Sequence, residues 1–66
     1  MDLNALKGKV KSSGMSMTFV ARMLGISRAS LYKKLNGNVE FKISEIVSLS
    51  NVLHMSGDER DHIFFN

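Results

Sequence analysis

The chain has 66 residues, no Cys and 44% hydrophobic residues. That allows one small core near the lower size limit for independent folding, and it excludes a disulfide framework, a thiolate metal site and a disordered chain. The net charge of +3 is unevenly spread: up to residue 39 Lys7, Lys9, Lys11, Arg22, Arg28, Lys33 and Lys34 face Asp2 alone, whereas from residue 40 onward Lys42 and Arg60 face Glu40, Glu45, Asp58, Glu59 and Asp61.

Pro is absent, and Gly14, Gly25, Gly37 and Gly57 divide the chain into five helical stretches. The first runs from about Asp2 to Ser13, with Leu3, Leu6 and Val10 on one face, Asp2 as N-cap and Gly14 as terminator. Gly8 inside it costs ~1 kcal/mol relative to Ala, or gives a neighbouring helix room to approach. The second, about 17–24, has Ser16 as cap, with Met15 stapled to Val20 across it. Val20, Ala21 and Leu24 form its buried stripe, with Phe19 and Met23 on the margins. Gly25 then suits a left-handed terminator. The third, about 28–35, opens at the cap Ser27 and turns Leu31 and Leu35 inward. The fourth, about 43–53, shows a broad apolar face of Ile43, Ile46, Val47, Leu49, Ser50 and Leu53. In the fifth, Ser56 and Glu59 match a capping box, and the stretch ends in Ile63, Phe64 and Phe65. The expected architecture is an all-α, compact five-helix bundle forming a single domain over 1–66, with the helices in 43–65 supporting the core.

Two short helices across a tight glycine turn suit a helix-turn-helix, here over about 17–36, whose second helix enters the DNA major groove. The basic part of the chain agrees with a polyanionic partner. Opposite Leu31 and Leu35, the third helix sets out Arg28, Ala29, Tyr32 and Lys33. Arg grips guanine O6 and N7 bidentately, and Ala meets a thymine methyl. Tyr adds a hydroxyl and a flat ring, and Lys33 reaches a base or a phosphate. Amides near Ser16 and Ser27 suit phosphate oxygens, and Asn36 and Asn38 suit neutral phosphate contacts. The plainer alternative is that Ser27 only caps and Tyr32 only packs sideways.

The chain resembles the phage repressor and Cro-like helix-turn-helix proteins, the Xre-type regulators, over roughly residues 3 to 53. Ala21, Gly25, Ile26 and Leu31 carry the resemblance at motif spacing, followed by Leu35-Asn36-Gly37. The stretches Leu6-Lys7-Gly8-Lys9-Val10 and Phe41 through Ile46 are also similar to small phage regulators. The resemblance implies a lambda-repressor-like fold that binds operator DNA as a symmetric dimer. It implies base reading by Arg28, Ala29, Tyr32 and Lys33, and phosphate binding by Ser16, Thr18, Ser27 and Asn36. Many relatives have an apolar residue at the position of Lys34. Here Leu35 is the apolar one, which leaves Lys34 free for phosphate and leaves Lys33 and Lys34 as alternatives at the end of the reading helix. Lys42 stands where relatives often have a Ser or Thr cap.

Ile63, Phe64 and Phe65 either close the core or form a two-fold interface that spaces two reading helices about 34 Å apart. Asp58 and His62 sit four apart and His54 lies eight before His62, but no third ligand completes a metal site. Gly8-Lys9 lacks the glycine spacing and strand of a phosphate loop, and no His-Asp pattern activates a serine. The five Met residues suit gap-filling in the core. The expectation is therefore a non-enzymatic transcriptional regulator that binds double-stranded DNA, without cofactor or small-molecule substrate. No apolar run is long enough to cross a membrane, and no signal-peptide core is expected, so the expected setting is a bacterial cytoplasm, at the nucleoid. The alternative is a protein-interaction adaptor or antirepressor-type module on the same fold.

Overall fold

In the computed structural model, which describes residues 1–65, five helices follow one another: α1 (Leu3–Ser12), α2 (Met17–Leu24), α3 (Arg28–Leu35), α4 (Ile43–Val52) and α5 (Gly57–Phe64). The starts are set by short-range chemistry. Asp2, Ser16, Ser27 and Ser56 each accept a hydrogen bond from the amide three residues on, at 3.0–3.1 Å, which satisfies one of the first-turn donors. Lys42 precedes α4 with no acceptor to offer. Glu45 reaches back instead, and its Oε1 accepts the Lys42 backbone N–H at 2.8 Å.

Helix ends are equally local. Gly25 has φ +74°, the Gly25 N–H donates to Arg22 O, and the Ile26 N–H donates to Ala21 O. This is a Schellman ending, which needs a residue in the left-handed region. α3 repeats it through Gly37, with Asn38 N–H to Lys33 O. The end of α4 departs from the glycine rule. His54, not Gly57, takes the positive φ, and Gly57 is the first residue of α5.

α2 packs against α3 and α4, and α1 packs against α3 and α5. The core joins Leu6 and Val10, Val20 and Ala21, Leu31 and Leu35, Ile46, Leu49 and Leu53, Ile63 and Phe64, with Phe41 from the α3–α4 connection. Phe41 and Phe64 meet edge to face at 5.9 Å. The chain start is pinned to the last helix, since the Asp2 N–H donates to Ile63 O at 2.7 Å.

Two open alternatives are decided, for Ile63 and Phe64 and for Gly8, and two expectations are corrected. Ile63 and Phe64 are core residues of the protomer, closed off by packing on Phe41 and α1, so neither is available to a two-fold interface; Phe65 is 57% exposed. Ile43 and Val47 stand outside the buried face of α4, whose true stripe is Ile46, Leu49, Ser50 and Leu53 at helical spacing. Gly8 faces solvent with nothing within 4 Å of where a Cβ would stand, so it gives no helix a close approach. Of the methionines, Met15, Met17 and Met55 pack against the core, whereas Met23 is exposed.

Candidate nucleic-acid interface

α3 is positioned by its inner stripe. Leu31, Lys34 and Leu35 recur at i, i+3 and i+4 and are all buried, which turns the opposite arc to solvent. Arg28, Ala29, Tyr32 and Lys33 occupy that arc, and all four are exposed. The Arg28 guanidinium is not loose: Nη1 donates to Thr18 Oγ1 at 3.4 Å, which leans it toward the start of α2. The Gly25 turn sets the two helices beside each other, so the start of α2 and the exposed arc of α3 belong to one surface.

Ser16, Thr18, Ser27, Asn36 and Asn38 are likewise exposed. The Ser16 and Ser27 hydroxyl oxygens are engaged as caps, to Phe19 N and Ser30 N. The amides ahead of those two have no acceptor within their own helices, and with the positive end of the helix dipole they suit an anion. Asn36 and Asn38 flank Gly37 at the far end of α3.

Lys34 does not belong to this surface. It is 5% exposed, and its Nζ lies 2.6 Å from Glu45 Oε1 and 3.4 Å from the Glu40 carbonyl. The physical reason is its place three residues after Leu31, on the inner side of α3, with a carboxylate waiting on α4. At the end of α3 the exposed lysine is therefore Lys33.

Ion pairing sorts the remaining cations. Among the described residues Lys9 pairs with Glu59 at 2.8 Å, Lys34 with Glu45, and Arg60 with Asp61 at 3.2 Å. Arg28, Lys33, Lys7 and Lys11 are in none of these pairs and are exposed. Lys7 and Lys11 share a cleft with Tyr32 and Asn36, beside the exposed arc of α3. Sequence reasoning gave Lys7 no role. The signal was the i, i+4 spacing of Lys7 and Lys11 against the offset Lys9, but only the docking of α5 shows that Lys9 is the one neutralised. Glu59 is held below the usual carboxylate range, first by the Lys9 hydrogen bond against a smaller burial cost, with the Lys9 charge and the Ser56 amide in support.

Among the described residues no group of three or more His, Cys, Asp or Glu side chains is placed to hold a metal ion. No helix there is long and apolar enough to cross a membrane. The fold and surface thus define an all-α five-helix protein with an unpaired basic face around its third helix. By sequence it belongs to the family described as "Protein of unknown function (DUF739)", whose model matches residues 1–66. No curated protein and no solved structure matches it.

Proposed function

We propose that this chain is a sequence-specific regulator that binds double-stranded DNA, with α2, the Gly25 turn and α3 acting as a helix-turn-helix. One observation carries the reading: Arg28, Ala29, Tyr32 and Lys33 form an exposed arc on a helix whose other side is core, beside the capped start of α2. α3 lies in the major groove, and Arg28 reads a guanine. Ser16, Thr18, Ser27, Asn36 and Asn38 take phosphates, joined by Lys7 and Lys11. The protein performs no bond chemistry; it occupies an operator and so alters access for polymerase. Binding as a symmetric dimer, as the repressor-like resemblance implies, places Phe65 at the two-fold contact, and the setting is then the bacterial nucleoid.

A second reading, a protein-interaction adaptor on the same fold, draws on the exposed apolar Phe19, Met23, Ile43 and Val47. Selection from randomised duplexes at two salt concentrations separates the two. DNA reading predicts an enriched, two-fold symmetric motif and affinity that falls steeply with salt. An adaptor gives no enriched motif. Arg28→Ala is expected to cost ~1–3 kcal/mol of binding and to relax preference at one base pair. A motif unchanged in that variant removes Arg28 from the reading set.

A further inference from the structure

The cleft between α1 and α3 joins polar residues assigned above to DNA with an apolar lining that DNA contact does not use. It is open to solvent and has a volume of about 330 Å³, at the small end of the range for small-molecule sites. Its floor is apolar: Val10 and Leu35 from the core edge, with Met15 and Met17 from the α1–α2 connection and the first turn of α2. Methionine side chains are unbranched and adjust to apolar guests of varied shape. Its rim is cationic, with Lys7 and Lys11 one turn apart on α1, both exposed and in no ion pair among the described residues. Tyr32 and Asn36 supply a hydroxyl and an amide on the α3 side.

We propose that this cleft binds a small amphiphilic anion, a medium-length alkyl chain ending in a carboxylate. The tail covers the methionine-lined floor, and the head takes the Lys7 and Lys11 ammonium groups as charge-assisted hydrogen bonds. A phosphodiester satisfies the two lysines but has no tail to cover the apolar floor, and a neutral alkane leaves the two charges unmet. The complementarity of both halves selects the amphiphile. Tyr32 is assigned above to base reading and Lys7, Lys11 and Asn36 to phosphates, so an occupied cleft competes with DNA for this edge of the surface. The binding itself stands independently of the DNA reading, which is decided by duplex selection.

The test is an amide NMR titration of the full chain with octanoate below its micelle concentration, with 1-octanol as the uncharged control. Saturable shifts confined to α1, Met15, Met17 and the end of α3 are expected, with 1-octanol binding at least about tenfold more weakly. The double variant Lys7→Gln/Lys11→Gln is expected to melt as the parent does, since both side chains are exposed, and to bind octanoate about tenfold more weakly. Shifts that scatter over the exposed Phe19, Met23, Ile43 and Val47, or that fail to saturate, overturn the proposal. So does octanoate affinity unchanged by loss of the two lysines.

Discussion

The residue that most changes the picture is Lys34. Its ammonium and the Glu45 carboxylate are both nearly closed to solvent, and Glu45 Oε1 also accepts the Lys42 backbone N–H at 2.8 Å. Burial pushes the Glu45 carboxyl up, but the Lys34 hydrogen bond, the Lys42 amide and the charges of the two lysines together outweigh it. The net position is below its ordinary 4.5. A carboxyl lowered by folding binds its proton more readily when unfolded. Its contribution is therefore complete above the ordinary value and is lost as pH falls through the lower, folded one. Melts taken across the acid range are expected to show stability falling below about pH 4.5, with Glu45→Gln flattening that fall. At neutral pH, Lys34→Met alone strands a buried carboxylate, at a cost of ~3–5 kcal/mol, whereas Lys34→Met with Glu45→Leu recovers most of it. Urea denaturation of the singles and the double checks this. Strict additivity shows that the two groups do not interact.

At the scale of the element, three helices end in the same way, and the third does so at a cost. Met55 N–H donates to Ser50 O at 2.9 Å and His54 N–H to Asn51 O, with His54 at φ 54°. A left-handed non-glycine residue is disfavoured by roughly 1–2 kcal/mol. Part of that returns through the greater entropy of glycine in the unfolded chain. His54→Gly is therefore expected to stabilise the domain by up to ~1 kcal/mol. Gly37→Ala is expected to destabilise it by more than Gly25→Ala. Both sit at positive φ, but a Cβ on Gly37 meets Leu3 Cδ1 at 3.1 Å, and one on Gly25 meets nothing. Denaturation midpoints of the three variants decide the order. The same local chemistry explains what was legible in the sequence. α2 and α3 begin and end where Ser16, Gly25, Ser27 and Gly37 place them, because a cap and a terminator act within one turn. The end of α4 near residue 53 was legible but its left-handed terminator was not, because histidine does not advertise a left-handed backbone. The face of α4 was drawn too wide, because Ile43 and Val47 are apolar but lie off the stripe through Ile46, Leu49, Ser50 and Leu53. The exposed arc of α3 was legible from Leu31 and Leu35. The burial of Lys34 was not, because its counter-charge comes from the next helix.

Across the whole molecule, the acidic C-terminal part does two jobs. It closes the bundle, with Asp2 bonded to Ile63 and Lys9 to Glu59, and it neutralises Lys9 by pairing and buries Lys34. Among the described residues the basic side chains left unpaired on α1 and α3 are Lys7, Lys11, Arg28 and Lys33, beside or on the exposed arc, while Arg22 and Lys42 are also exposed and in no ion pair. α5 also separates two neighbouring rings by role. Phe64 is 5% exposed and stands edge-on to Phe41, whereas Phe65, whose ring centre is 6.4 Å from that of Phe64, is 57% exposed. Truncating a buried phenylalanine costs ~3–5 kcal/mol, which is most of what a core this small supplies. Phe64→Ala is therefore expected to unfold much of the population at room temperature. Phe65→Ala removes a ring that already faces water, so the protomer should melt within ~0.5 kcal/mol of the parent. If Phe65 lies at a two-fold contact, its loss shows instead as weaker self-association, read by sedimentation with and without a selected duplex. Equal losses of stability in the two variants would place Phe65 in the core. A Phe65→Ala chain that sediments as the parent does at every concentration would remove it from any contact between copies.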